Sequence, residues 1–246
     1  MIDRFQTQMQ AMQMLSRAQE VTADNLANIN TPGYKGSTLF YKMFSETVNG
    51  VQVQKTVPMQ QVNFSQGELE HTGNQFDVGI SGSGFFMVEE DNETYLTRDG
   101  RFSLDTDGYL VNSNGSKVLG SAGAIHIPEY FQTAALHGNE STLEIAKDGT
   151  IRINGQVHDK IRIVNVDEPS RLERRGNAYF AVADTRALRE EEEAEVMQGY
   201  YEKGNVDALH EMVDMMQTMQ MFESQQRALT TTDETLSAAI NSLGRF

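Results

Sequence analysis

The chain has 246 residues, which allows one large domain or two small ones with a real core. An apolar content of 39% is typical of globular proteins, and no apolar run reaches the length of about 20 residues that a membrane-spanning helix needs. The net charge of -15 excludes nucleic acid as a partner because no dense basic patch offsets it, and the lack of cysteine excludes thiolate nucleophiles, disulfides and cysteine-bound zinc.

Near the N-terminus, apolar or small residues recur every three or four positions and predict a helix from about Asp3 to Ile29. We expect the helix to end there because Thr31 precedes a proline, which disfavours helical backbone, and Gly33 supplies a flexible turn. The predicted N-terminal axial helix therefore occupies residues 1–33. Its apolar stripe includes Phe5, Met9, Met12, Leu15 and Leu26.

The middle of the chain changes its period. Short runs of β-branched and aromatic residues over 76–184 alternate as strands do and predict an antiparallel β domain. Residues 34–75 are interpreted as a connector, and 185–204 as an acidic connector that contains the run Glu190, Glu191, Glu192 and Glu193. The predicted hairpin turns of the β domain are the dipeptides Asp99-Gly100, Asp107-Gly108, Asn114-Gly115, Asp148-Gly149 and Asn154-Gly155.

A second long helix is predicted over residues 205–246. Its apolar positions have a mean spacing near 3.5 residues, the period of a coiled-coil seam, and the helix would be roughly 58 Å long. The surfaces opposite both stripes are rich in Gln, Ser, Thr and Ala rather than in charges, so we expect the two helices to pack on each other and against further subunits. The stripe consists of Leu209, Met212, Met216, Met219, Phe222, Leu229, Leu236, Ile240 and Leu243.

The fold class expected from these patterns is α+β, with long N- and C-terminal helices paired as a coiled coil and a central antiparallel β domain. The packing of each helix on the β domain as an ordinary amphipathic element is the alternative.

Residues capable of catalysis do not form a recognisable site. The five histidines are scattered singly, at His71, His126, His137, His158 and His210. The sequence from Asp105 begins like a calcium loop, but Leu110 and Ser116 stand where such a loop needs glycine and glutamate. Ser83 lies between two glycines but leads into a strand, whereas a nucleophile elbow or a phosphate loop requires a helix. The sequence thus predicts no catalytic residue, no metal site and no cofactor.

Three blocks carry the strongest signal. The first is DNLANINTPGYK, from Asp24 to Lys35; the second runs from Gly67 to Phe102 and contains GEL, TGN, FDVGI, GFF and TRDGRF; the third combines NVD, EMV and LGR between Asn205 and Arg245. Together these ordered blocks resemble the bacterial flagellar rod and hook family, in which an N-L-A-N stretch ends a helix just before T-P-G-[YF]. The stretch MQTMQMF, from Met216 to Phe222, is richer in methionine than the family pattern.

The resemblance implies a structural subunit of the flagellar basal-body rod and no enzyme activity. Its terminal helices would pair around an export channel, and the subunits would polymerise helically to transmit torque from motor to hook. Implied partners are further copies of the chain, other rod subunits, the hook protein and the flagellar type III export apparatus, with no membrane insertion. Export without a cleaved signal peptide agrees with an N-terminus that lacks a basic start and a continuous apolar stretch.

The resemblance also implies which residues serve assembly. Besides the two stripes these are Asn25, Asn28, Asn30, Pro32, Gly33 and Tyr34 of the first block. We expect this block to be needed for assembly and not for folding of the β domain. Proximal and distal rod positions both stay open, with the proximal one favoured. A short hook-like or junction subunit is one alternative, and a glycan-binding module built on the β domain is another.

Overall fold

The computed structural model describes residues 2–48, 51–128, 142–176, 178–182, 188–191 and 193–243. The chain divides into two compact units. The helical unit consists of Met1–Ala27, Ser37–Val62 and Val206–Phe246, and the β unit consists of Asn28–Gly36 and Asn63–Asn205. The α+β class, with a helix near each end and antiparallel strands between them, is confirmed.

The two helices of the helical unit are α1 (Ile2–Ala27) and α2 (Ala208–Leu243). The bounds of the described strands are as follows: β1 Ser37–Val48, β2 Val51–Val62, β3 Leu69–His71, β4 Val78–Ser81, β5 Phe85–Glu90, β6 Glu93–Thr97, β7 Phe102–Leu104, β8 Leu110–Asn112, β9 Lys117–Gly120, β10 Gly123–Ala124, β11 Leu143–Ile145, β12 Thr150–Ile153, β13 Gln156–Lys160, β14 Ile163–Val166, β15 Glu173–Arg175, β16 Tyr179–Ala181, β17 Leu188–Glu190, β18 Glu195–Gln198 and β19 Tyr200–Glu202. A 3₁₀ turn spans Pro169–Arg171.

In the helical unit, α1 lies against α2, and the hairpin of β1 and β2 packs on α1. The hydroxyl of Tyr41 on β1 donates to the carbonyl oxygen of Met14 on α1 at 3.0 Å. The side chain of Asp207 caps α2, since its Oδ1 accepts from the backbone N–H groups of Leu209 at 2.8 Å and His210 at 3.1 Å. Neither helix contains, among the residues described, a window long and apolar enough to cross a membrane.

The β unit is organised around a ten-stranded antiparallel sheet with the main order β15-β16-β6-β5-β9-β8-β7. Strand β14 joins it through β5 and carries β17, and β10 extends β9. Smaller ladders pair β11, β12 and β13, then β18 with β4, and β19 with β3. The core is apolar, with fully buried side chains such as Val78, Phe86, Val118, Ile125 and Ile151.

Four of the five predicted turn dipeptides each connect two consecutive strands that pair antiparallel in the structure. The dipeptide Asp99-Gly100 is an exception, and its prediction as a hairpin turn is wrong. It joins β6 to β7, which are not neighbours in the sheet, and the carbonyl oxygen of Gly100 accepts from the N–H of Val78 at 2.8 Å. The segment is buried because it runs beside β4, where a Cβ on Gly100 would stand 1.7 Å from the Val78 oxygen.

The observed units differ from the boundaries drawn from the sequence. The sequence pattern indicates a connector at residues 34–75, yet they contain the long hairpin β1–β2 and the short strand β3. Residues 185–204 likewise contain β17, β18 and β19, which pair with β14, β4 and β3. Long-range pairing explains the difference for β3, β17, β18 and β19, because their partner strands are remote in sequence and a local pattern does not reveal them, whereas β1 and β2 are consecutive strands of one hairpin.

Candidate functional site

The end of α1 is tied to the hairpin and to α2 by one side chain, Asn25. Its Nδ2 donates to the carbonyl oxygen of Ser37 at 2.8 Å, and its Oδ1 accepts from the N–H of the same residue at 2.9 Å. The amide thus takes the place of a neighbouring strand at the start of β1. Nδ2 also donates to Oε1 of Glu211 on α2 at 2.9 Å. Burial raises the pKa of Glu211, and the hydrogen bond from Asn25 opposes that rise.

Replacing Asn25 with alanine is expected to destabilise the helical unit. The variant would leave the buried backbone groups of Ser37 without partners, which costs about 1 to 3 kcal/mol per group. Hydrogen exchange at the Ser37 amide should become faster, whereas Gln13→Ala, a change at an exposed position of α1, should leave it unaltered. Equal protection of Ser37 in both variants would contradict the role of Asn25.

The next residues of the signature belong to the β unit and are deeply buried. Pro32, Gly33 and Tyr34 are all buried, and the N–H of Gly33 donates to the carbonyl oxygen of Glu202 at 2.7 Å. The guanidinium of Arg174 lies over the Tyr34 ring, 4.6 Å from its centre, and donates to the carbonyl oxygen of Lys35. The expectation that this block has no part in folding of the β domain is therefore contradicted for Pro32, Gly33 and Tyr34, which are buried within that unit.

A buried carboxylate, Glu202, holds two cations from remote parts of the chain. Its Oε1 is 2.6 Å from Nζ of Lys35, and its Oε2 is 3.0 Å from NH1 of Arg98. The side chains of Lys35 and Glu202 are each only 1% exposed. Oε1 also accepts from the N–H of Gly67 at 2.7 Å. Burial lowers the pKa of Lys35, and the adjacent carboxylate counteracts part of that shift.

Each cation of this cluster has a further acceptor. Nζ of Lys35 donates to the carbonyl oxygen of Ser65 at 2.7 Å, and NH2 of Arg98 donates to that of Gly82 at 2.7 Å. The guanidinium of Arg98 also lies 5.4 Å from the centre of the Phe85 ring. The cluster joins five separate stretches of chain and has no water-exposed cation to offer a substrate, so it is suited to fixing a structure rather than to chemistry.

Asn205 fastens the same region from the C-terminal side. Its Oδ1 accepts from the N–H of Gly36 at 2.7 Å, and its Nδ2 donates to the carbonyl oxygens of Asn63 and Ser65, each at 2.8 Å. The sequence placed this residue at the start of the second helix, but the helix begins at Ala208. The first and third sequence blocks therefore meet here, inside the β unit.

The predicted apolar stripe of α2 divides between two faces of the helix. Phe222 and Leu229 are half-buried, on the same face as Glu211, Met215 and Thr218. Leu209, Met212, Met216 and Met219 are exposed instead, with exposed fractions of 71% for Leu209 and 56% for Met216. These four exposed residues form the methionine face of α2. A solvent-exposed apolar surface of this kind is typical of a site that binds another protein.

On α1 the predicted residues Met12, Leu15 and Leu26 are half-buried, and Met9 is exposed. Of the asparagines after the helix, Asn28 is half-buried and Asn30 is exposed; the Asn28 oxygens accept from the N–H and hydroxyl of Thr31. The side chains of Phe5, Leu236, Ile240 and Leu243 lie outside the described part of the structure, as do residues His137, Glu192, Gly244 and Arg245.

Two residues of the acidic run, Glu190 and Glu191, make contacts within the β unit. Glu190 lies on β17 and pairs with Arg162 at 3.4 Å. Glu191 accepts from Nδ2 of Asn165 at 2.7 Å and from the hydroxyl of Ser83 at 3.1 Å, and these bonds lower its pKa. Within the described residues no group of three or more acidic or histidine side chains is placed to hold a metal ion.

Comparison with known proteins gives three matching family profiles. The flagella basal body rod protein profile matches residues 5–35, the profile of the flagellar hook protein FlgE/F/G D1 domain matches 79–153, and that of the flagellar basal body rod FlgEFG protein C-terminal region matches 197–243. The three profiles cover more than half of the chain, in the order of the three sequence blocks.

Whole-length relatives agree with the profiles. Flagellar basal-body rod protein FlgF of Mesorhizobium japonicum is 29% identical over 250 aligned residues, covering 99% of each chain. FlgF of Caulobacter vibrioides is 27% identical, with 94% of each chain covered. Flagellar basal-body rod protein FlgG of Buchnera aphidicola, subspecies Acyrthosiphon pisum, is 29% identical, with 88% of this chain and 90% of that protein covered.

Proposed function

Since this chain belongs to the family of flagellar basal-body rod and hook proteins and is a structural rod subunit rather than an enzyme, we propose that it joins a helical polymer through α1 and α2. The observation that carries the proposal is the methionine face of α2, which stays exposed although it is strongly apolar. Contacts between two different surfaces of identical subunits generate an open helical polymer when the rotation does not close.

Within one subunit, we propose that α1 and α2 pair as a coiled coil. The half-buried positions of α2 include Glu211, Met215, Thr218, Phe222, Gln225 and Leu229, which recur every three or four residues along the face turned to α1. This spacing supports knobs-into-holes packing along a single seam. The predicted assembly residues would then act indirectly: Asn25 fixes the end of α1 within the helical unit, and Gly33 and Tyr34 pack inside the β unit.

The length of the match favours one type of rod subunit. FlgF of Mesorhizobium japonicum aligns over 99% of both chains, whereas the Buchnera aphidicola FlgG aligns over 88% of this chain and 90% of its own length. We therefore propose an FlgF-type position in the rod, with contacts to other rod subunits. Transmission of torque towards the hook, enclosure of an export channel and delivery by the type III apparatus without a cleaved signal peptide belong to the same proposal and rest on family membership.

Truncation of α2 tests this function. A chain that ends at Thr235 should keep a stable β unit, because the described strands of that unit end with β19, before α2 begins. It should fail to enter the basal body, because it lacks the stripe residues Leu236, Ile240 and Leu243. We expect burial of each of these side chains to stabilise the assembled state by about 2 to 5 kcal/mol.

The measurement compares swimming and hook number in cells that carry only the truncated chain with those in cells whose chain ends at Leu243. We expect the first strain to lose swimming and hooks, while the melting temperature of the β unit, measured on the purified truncated chain, stays unchanged. Normal swimming with the chain that ends at Thr235 would refute assembly through the end of α2.

A further inference from the structure

The hairpin of β1 and β2 exposes an aromatic face. Cross-strand partners share one side of a sheet, and the register pairs Phe40 with Met59 and Lys42 with Val57. Phe44 follows Lys42 by two positions and Phe40 by four, so all three residues lie on the same side of β1. Phe40, Phe44 and Met59 are each about two-fifths exposed, at 39%, 43% and 41%. These five residues, Phe40, Lys42, Phe44, Val57 and Met59, form the hairpin face.

This face is directed away from the helices of its own subunit. Residues alternate between the two sides of a strand, and the side that contains Tyr41 is bonded to α1 through the Met14 carbonyl. Tyr41 also lines a cleft of about 580 Å³ together with side chains of both helices, among them Met14 and Met221. The opposite side, with Phe40 and Phe44, therefore faces away from this cleft.

The hairpin face and the methionine face differ in shape but match in chemistry. One offers two aromatic rings, and the other offers three exposed thioethers, a pairing in which sulfur contacts the ring edge favourably. Their charges are also opposite in sign. Residues 37–62 contain two lysines and one glutamate, whereas α2 contains five acidic residues and one arginine. Lys42 lies between the two rings, 5.4 Å from the centre of the Phe44 ring.

The acidic partner for this lysine lies on the continuation of the methionine face. Glu223 follows Met219 by four residues and Met216 by seven, so it lies on the same side of α2. It is exposed and contacts Arg227 at 3.4 Å, an exposed pair of small energetic value that another cation can replace.

We propose that the hairpin face of one subunit binds the methionine face of α2 in a neighbouring copy of this chain, with Lys42 directed towards Glu223. The inference rests on the proposed function, which requires contacts between copies, and names the two surfaces that make one of them. The contact is heterologous, because one subunit contributes its hairpin face and the other contributes its methionine face. Each subunit then has its second face free for the next neighbour.

Cysteine cross-linking tests this contact directly, because the chain contains no cysteine of its own. Two thiols form a disulfide only when their Cβ atoms approach to about 4 Å, so a cross-link reports contact rather than proximity. The variant carries Phe40→Cys and Met216→Cys in the full chain, expressed in cells that lack the unaltered gene. The matched control carries Met43→Cys and Met216→Cys; Met43 is exposed as well but lies on the other side of the strand.

After mild oxidation, basal bodies from the first strain should yield a ladder of disulfide-linked oligomers longer than dimers, about tenfold more abundant than in the control. Cross-links limited to dimers would indicate a symmetric contact, and cross-links to a protein of another mass would indicate a different partner. Either result, or incorporation without cross-links, would overturn the inference while leaving the rod function intact. Absence of the unaltered chain from basal bodies would instead overturn the proposed function.

A charge exchange tests the same contact without cysteines. Lys42→Glu and Glu223→Lys should each lower incorporation into basal bodies about tenfold or more, because each places like charges together in the contact. The double variant restores opposite charges and should return incorporation to near the unaltered level. Additive loss in the double variant would show that these two side chains do not meet.

Discussion

Replacing Gly33 with valine is expected to lower the melting temperature of the β unit on the order of 10 °C, from a loss of about 3 kcal/mol or more. Two effects combine at this position. The backbone has φ +65°, which disfavours a β-branched residue, and a Cβ would stand 2.3 Å from both the Arg98 carbonyl carbon and the Asp99 nitrogen. Those atoms are backbone, so the clash cannot be relieved by a side-chain rotation.

Gly176 offers a matched control for this substitution. It has a similar φ of +63°, but among the described residues no atom other than those of its chain neighbours lies within 4 Å of the position of its Cβ. Gly176→Val should therefore show only the conformational penalty of about 1 to 2 kcal/mol. Thermal unfolding of both purified variants, followed by calorimetry, separates the two effects. Equal shifts for the two variants would mean that the signature does not pack against the Arg98 backbone.

Replacing Glu202 with glutamine is the second change with a large expected effect. The variant would leave Lys35 and Arg98 as buried cations without a counter-charge, which destabilises a fold by about 3 to 5 kcal/mol. Glu70 is the matched control on the paired strand β3. Its contact with Lys203, at 2.8 Å, is exposed and screened by water, so Glu70→Gln should leave the free energy of unfolding almost unchanged.

The pH dependence of the Glu202→Gln variant identifies the cause. Burial places the pKa of Lys35 below its ordinary value of 10.5, and without the carboxylate the pKa should fall further. Between the lowered pKa and 10.5 the unfolded chain binds more protons than the folded one, so the free energy of unfolding contributed by this group rises with pH. The deficit of the variant should thus shrink as the solution approaches pH 10. A deficit that is constant with pH would mean that the lost stability is not caused by the buried ammonium.

The sequence was informative where structure depends on local spacing. The three- and four-residue steps around Met12 and Leu15 predicted a helix that the structure ends at Ala27, within two residues of the expected end. Four turn dipeptides of the β domain were also placed correctly. Such features need only the neighbours in the chain, because periodicity and turn geometry are set within a few residues.

Features that depend on remote pairing were missed. Lys35 was recognised only as part of a motif, and its partner Glu202 lies 167 residues away. Arg98 and Asn205 stood within recognised blocks, but a motif does not say which residue its members contact. The exposed fraction of Leu209 and Met216 could not be predicted either, because an apolar stripe with a spacing near 3.5 residues fits an internal seam and an intersubunit face equally well.

Assembly of this chain into the rod through α1 and α2 is tested by an electron cryomicroscopy map of basal bodies isolated from cells that express the chain. We expect density for the chain within the rod, with α1 and α2 packed against neighbouring subunits and the methionine face of α2 covered. A complete rod that contains no copy of the chain, or copies whose methionine face remains in solvent, would contradict it.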